Sequence, residues 1–179
     1  MDRRYVVPAV VGVVALLATV FLAGALDPLV TTDGYQPDAG AETATPLSYE
    51  QTNVTVLDDG TGESLGTVRV AVADTWRKKY TGLSETESLP EDRGMLFPYD
   101  SEGEHTYVMR GMSFGIDIIY IGANDTITTI HHAREPPEGT DGEEFEYPGT
   151  GKYVLEVPYN WTVRHNVTEG DRVRIEEWS

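Results

Sequence analysis

Thr67-Val68-Arg69-Val70-Ala71-Val72 is the stretch on which the reading of this chain turns. Val68, Val70 and Val72 alternate with Thr67, Arg69 and Ala71, the two-residue period of a strand that packs one face and wets the other. Upstream, Val54 and Val56 alternate around Thr55, and Asp58-Asp59-Gly60-Thr61-Gly62 separates the two runs with turn chemistry. The pair predicts a β-hairpin. Downstream, Asp74 or Thr75 is placed to cap a short helix over 76–81, and Gly82 to end it. Further apolar runs predict strands at 94–99, 105–110, 116–121, 126–131, 153–157 and 172–177, with a second short helix beginning at Asn160 and covering 161–165. Short strands dominate, so the expected fold is mainly β: a small antiparallel, closed or nearly closed barrel-like domain with one or two short helices. Residues 133–151 interrupt the pattern with Pro136, Pro137, Gly139, Gly142, Pro148 and Gly149 among several acids, and are expected to form a long, solvated, acidic loop.

At the other end of the chain, residues 6–26 form 21 consecutive positions without a charged side chain. A helix of that length spans about 31 Å, enough to cross a hydrocarbon core of about 30 Å once. Arg3 and Arg4 precede the run and Asp27 follows it, so the positive-inside bias puts residues 1–5 in the cytoplasm and the rest outside the cell. Ala23-Gly24-Ala25 offers small residues for a signal peptidase, but the apolar run exceeds the core of an ordinary signal peptide, which favours a retained anchor. Residues 27–51, with Pro28, Pro37 and Pro46 and no apolar period, read as a linker; residues 52–178 read as one folded domain.

Without Asp2, Arg3 and Arg4, the 13 basic and 30 acidic residues fall to 11 and 29, a net charge of about −18 on the exterior part. Such charge argues against nucleic acid and anionic lipid as partners. Lysine occurs only at 78, 79 and 152, and acids are spread along the chain. A hydrated, acidic, lysine-poor surface suits concentrated salt, and a halophilic host is expected. Cysteine is absent, which excludes disulfides, lipidated cysteine and thiolate metal sites. Asn53, Asn124, Asn160 and Asn166 each open an Asn-x-Thr tripeptide and are glycosylation candidates.

The run Gly82-Leu83, then Leu89-Pro90-Glu91-Asp92-Arg93-Gly94-Met95-Leu96-Phe97, followed by Tyr107-Val108-Met109-Arg110, Ile116-Asp117-Ile118, Tyr153-Val154-Leu155-Glu156-Val157 and Gly170-Asp171-Arg172-Val173, resembles the family called domain of unknown function 192. Order and spacing hold from about Val68 to Ile175. The resemblance implies a compact, mostly β domain, often exported or membrane-anchored, and carries no established activity. Two departures stand out. Members usually follow an aromatic pair with Met, Lys and Asn, where this chain has Met109-Arg110-Gly111; they usually have Pro before Leu-Asp, where it has Gly115-Ile116-Asp117. Arg110-Gly111 keeps the charge of the Lys-Asn pair and loses its amide.

Asp117 is the sharpest single residue: neither face of its strand is polar, so its carboxylate must be paired, hydrogen-bonded or protonated. It can serve as an acid or base, grip a ligand, or bond backbone amides at a turn. Met109, Arg110 and Asp117 flank the connection 111–115 and are expected to converge near one concave surface, with Arg110 and Asp117 paired across a hairpin. Arg77, Lys78 and Lys79 form the one basic cluster of the exterior part, suited to an anionic group or to complementing the end of their helix. His105, Met109, Met112 and His131 offer soft ligands for extracellular copper, though Met109 equally suits core packing. No nucleophile elbow, zinc motif or phosphate loop is present. The reading that follows is a membrane-anchored exterior domain without a cofactor. It binds a small molecule, an envelope polymer or a membrane-protein partner, with Met109, Arg110, Asp117, Arg77 and Lys78 as ligand-binding candidates. Alternatives are a hydrolase or transferase on cell-surface carbohydrate using Asp117, and a copper-binding protein.

Overall fold

The computed structural model describes residues 48–178. The predicted cytoplasmic residues 1–5, the run 6–26 and the linker up to residue 47 lie outside the described residues. Among those described, no helix is long and apolar enough to cross a membrane.

Seven strands are present among the described residues: β1 (Gln51–Leu57), β2 (Ser64–Val72), β3 (Arg93–Val108), β4 (Ile116–Ile121), β5 (Ile127–Ala133), β6 (Glu146–Pro158) and β7 (Arg172–Ile175). Two short helices, α1 (Trp76–Thr81) and α2 (Trp161–Arg164), and a 3-10 turn at Gly142–Glu144 complete the elements. The strands form one sheet in the order β5-β4-β6-β3-β2-β1-β7. The sheet curls into a half-barrel whose two edge strands touch at one end: Ile127 N–H donates to Asp171 O at 2.9 Å, and Val173 N–H to Asp125 O at 2.8 Å.

The predicted hairpin is present as β1 and β2, with Val54 opposite Val68. Its valines Val54, Val56, Val68 and Val70 enter one core with Leu96, Ile119, Leu155, Val157 and Trp161. The opposite side of the sheet carries a second core, in which Met95, Phe97, Ile116, Ile118, Tyr120 and Val154 pack with Leu83 and Met109. Strand β4 lies between the two, and all six of its residues are buried. Its sequence is accordingly a continuous apolar run broken by Asp117 alone, the pattern of a strand covered on both faces. Helix α1 begins where expected, with the Thr75 side chain accepting from Lys78 N–H, and ends at Gly82 with φ of 50°.

Four expectations are corrected. The segments 94–99 and 105–110 are not separate strands; β3 runs continuously through Asp100 to Glu104, where polar side chains leave no apolar alternation, and its pairing with β6 breaks in an irregularity after Pro98 and resumes at Gly103. The predicted loop 133–151 is shorter, because β6 begins at Glu146. One pairing, β2 with β3, is parallel. Finally, β3 and β4 do not form a hairpin. Both pair antiparallel to β6, which lies between them, so they run parallel to each other and residues 109–115 are a crossover.

Candidate functional site

Two carboxylates are buried on adjacent strands of the sheet, and they face opposite ways. Asp117 lies opposite Val157 and Ile118 opposite Glu156, so the acids are one register step apart on β4 and β6. The alternation of a strand therefore sends Asp117 to the face of Ile119 and Glu156 to the face of Val154.

Asp117 is 0% exposed and accepts four hydrogen bonds. Oδ1 receives Asn160 N–H at 2.9 Å and His132 Nδ1 at 2.8 Å. Oδ2 receives Thr162 N–H at 2.9 Å and Thr162 Oγ1 at 2.6 Å. Asn160 takes the left-handed conformation, with φ of 59°, and its own side chain does not cap α2. The amides that a helix start leaves unsatisfied are instead met by Asp117 from across the sheet. This is the backbone-binding role that the sequence offered for Asp117.

Glu156 has a different environment. It is 5% exposed, and among the described residues no hydrogen bond or ion pair holds its carboxyl. Burial raises its pKa to about 8. It lines a pocket of about 220 Å³ bounded by α1, the segment after it, β3 and the crossover; Phe97, Tyr99, Tyr107, Lys79 and Arg110 share the lining. Tyr99 and Tyr107 join hydroxyls at 2.9 Å, and burial raises the pKa of both. The Phe97 and Tyr107 rings meet edge to face, with centroids 5.1 Å apart. Close approach of β3 to β6 here depends on Gly94: a Cβ at that position would lie 2.5 Å from the Glu156 carbonyl oxygen.

The rim of this pocket is cationic. Lys79 Nζ stands 4.1 Å from the centre of the Tyr99 ring. Partial burial lowers its pKa, opposed by the more distant charges of Asp100 and Asp74, and among the described residues it makes no ion pair. Arg110 lies 4.0 Å over the Tyr80 ring, donates to the Tyr80 carbonyl oxygen and meets Glu143 Oε1 at 3.2 Å. Trp76, 76% exposed, stacks on Tyr80 at 5.3 Å. Glu143 is delivered by the 3-10 turn, which is pinned where Met109 N–H donates to the Gly142 oxygen at 3.0 Å. Only glycine fits at Gly142, since a Cβ there would overlap the Met109 carbonyl.

The residues singled out in the sequence are thus dispersed. Arg110 reaches the pocket, but pairs with Glu143 and Tyr80; the expected Arg110–Asp117 pair is absent because Arg110 lies on the crossover at the pocket while the Asp117 side chain faces the other side of the sheet, against the start of α2. Met109 is a fully buried core residue, while Val108, Arg110 and Met112 line the pocket beside it. Of the basic cluster, Lys78 turns inward to Asp74 at 2.7 Å, exposed Arg77 lies outside the pocket lining, and Lys79 is the member that enters it.

The copper candidates have other partners. His105 stacks on Tyr99 at 3.6 Å with Nε2 at 3.2 Å from the Gly151 oxygen, and His131 Nε2 lies 2.7 Å from the Pro148 oxygen. Of the sequons, Asn124 and Asn166 are exposed, Asn53 is half-buried, and the Asn160 tripeptide hides its Thr162 hydroxyl on Asp117. Glu156, Tyr99 and Tyr107 were not identified as a site in the sequence, and Lys79 was singled out only as a member of the basic cluster. The available signal was an acid inside the apolar run Val154-Leu155-Glu156-Val157, the same signal that marked Asp117.

A crystal structure from Novosphingobium aromaticivorans, described as a protein of unknown function, is 27% identical; the match covers 76% of this chain and 94% of that one, with a TM-score of 0.62. Another, from Sinorhizobium meliloti and titled a "putative transcription regulator", is 24% identical over 72% of this chain and 96% of that one, with a TM-score of 0.64, and shows a shared fold. No curated protein matches the chain significantly. The half-barrel with its two cores and the pocket over Glu156 fall almost wholly within residues 56–175, which match the family model of DUF192, "Uncharacterized ACR", and the chain therefore belongs to that family.

Proposed function

We propose that this domain is a binding module for a small molecule, taken up in the pocket over Glu156. The observation that carries the reading is a glutamate, 5% exposed, whose carboxyl has no hydrogen-bond partner among the described residues and stands at the wall of an open pocket. Burying such a group without compensation costs several kcal/mol, a cost that a bound ligand offsets. The dimensions of the pocket favour a small molecule over a polymer or a protein surface. In this reading the run 6–26 tethers the domain outside the cell, and its acidic surface keeps it hydrated in concentrated salt.

Binding is favoured over catalysis by the rest of the lining. Ser84, the one serine there, donates its hydroxyl to the Thr81 oxygen at 2.6 Å, and no second carboxylate lines the pocket. Asp117, the acid of the carbohydrate-active alternative, is enclosed and its four bonds occupy both oxygens. Thermal-shift measurements on the full chain against a library of small organic acids, amides, amines and sugars test the proposal. Some compounds are expected to raise the melting temperature of the wild type but not of Met112→Trp, which fills the pocket. No shift with any compound, or equal shifts in both proteins, overturns it.

A further inference from the structure

From the pocket proposed above, and resting on that proposal, we infer a ligand class: a small aromatic or apolar monoanion of the carboxylate type, its charge set against Lys79 at the rim and one of its oxygens hydrogen-bonded to the carboxyl of Glu156.

Three observations carry this. The first is charge. In a chain of 13 basic and 30 acidic residues, cations find acids readily, yet Lys79 makes no ion pair among the described residues and leans on the pocket's Tyr99 ring instead. A half-buried ammonium left unpaired at a pocket mouth is set for an anion from solution. The second is the apolar wall. Phe97, Tyr99 and Tyr107 surround the space between the rim and Glu156, so the body of the ligand meets rings.

The third observation is the carboxyl itself. Glu156 faces Tyr99 and Tyr107 of β3 and Tyr120 of β4, with Lys79 of α1 and Arg110 of the crossover sharing its pocket. Tyr120 donates its hydroxyl away, to the Tyr147 oxygen at 2.6 Å, and Arg110 is engaged by Glu143 and Tyr80. Among the described residues no cation pairs with Glu156 directly, and with a pKa of about 8 it is protonated at neutral pH, a donor rather than a competing anion. A cationic ligand would instead meet Lys79 and Arg110 on entry.

The test uses three compounds of one shape, benzoate, benzamide and benzamidine, titrated calorimetrically into the full chain at fixed salt. Benzoate is expected to bind at least about tenfold more tightly than benzamide at pH ~6.5, and benzamidine most weakly. Lys79→Met should remove the preference for benzoate while leaving benzamide binding. Raising the pH to ~9 should weaken benzoate in the wild type by about tenfold as Glu156 ionises beside it. Because burial also lowers the pKa of Lys79, Glu156→Gln supplies the control: it should keep benzoate binding and lose most of the pH dependence. Benzamidine binding best, benzoate indifferent to Lys79→Met, or an unchanged pH dependence in Glu156→Gln overturns the inference. If none of the three binds while other compounds raise the melting temperature only when the pocket is open, the anion is wrong and the pocket stands. If no compound does so, both fail.

Discussion

Asp117 and Glu156 occupy neighbouring strands, one register step apart, and live under opposite rules. On one side of the sheet the carboxylate is saturated: four donors hold Asp117, two of them backbone amides at the start of α2. On the other side Glu156 is nearly as buried but opens onto a pocket, and among the described residues its carboxyl has no such partner. Burial alone therefore does not distinguish a structural acid from a functional one. The satisfied acid ties the chain together, whereas the unsatisfied one lowers stability and is kept beside a space that something else can enter.

The sharpest way to break this comparison is to remove both acids in turn and watch stability move in opposite directions. Asp117→Ala leaves Asn160 N–H, Thr162 N–H and the Thr162 hydroxyl buried without their acceptor and frees α2 from the sheet. A loss of about 3–5 kcal/mol is expected in denaturant unfolding. A loss below about 1 kcal/mol would mean that water replaces the carboxylate and that Asp117 is not the structural acid of the pair.

Glu156→Gln should do the reverse, with a pH signature. The folded pKa of Glu156, about 8, lies above its ordinary value of 4.5, so between those limits the native state holds a proton that the unfolded chain releases. Stability from this group is then full below about pH 4.5, falls as pH rises through the window, and is lost above about pH 8. Glutamine carries no such liability. The variant should match the wild type at pH ~5 and exceed it at pH ~9 by a few kcal/mol, since one pKa unit corresponds to about 1.4 kcal/mol. Parallel stability curves for the two proteins over that range would show that Glu156 is solvated or paired in solution.

A smaller effect tests how the four bonds of Asp117 share the load. His132 is the exposed member of the set, with 42% of its side chain accessible, and its removal leaves the three donors from residues 160 and 162 in place. His132→Ala should cost only about 1 kcal/mol. A cost equal to that of Asp117→Ala would move the centre of the network from the α2 amides to the imidazole.

Much of this molecule was legible in the residues themselves. The valine alternation in β1 and β2, the caps Thr75 and Gly82 on α1, and the apolar run of β4 act through neighbours a few positions away, which is why period and turn chemistry located them. The stretch 100–104 escaped for the converse reason: its polar side chains leave no apolar signature, and the pairing with β6 breaks in an irregularity between Pro98 and Gly103 before resuming.

For Asp117, the sequence by itself determined the need: a carboxylate in an apolar strand requires donors. It did not determine which, because three of the four stand more than forty positions away at the start of α2 and the fourth, His132, on the neighbouring strand β5. The same limit applied to Glu156, flagged by nothing beyond its apolar neighbours, and to Arg110, whose partner Glu143 arrives on a turn pinned at Gly142. Only the tertiary structure decided that β6 lies between β3 and β4. That placement parts Arg110 from Asp117, sends the two acids to opposite faces, and leaves a pocket over one of them. Strand order depends on which long-range pairings bury the most surface with the fewest unsatisfied backbone groups, a property of the whole sheet that no local pattern carries.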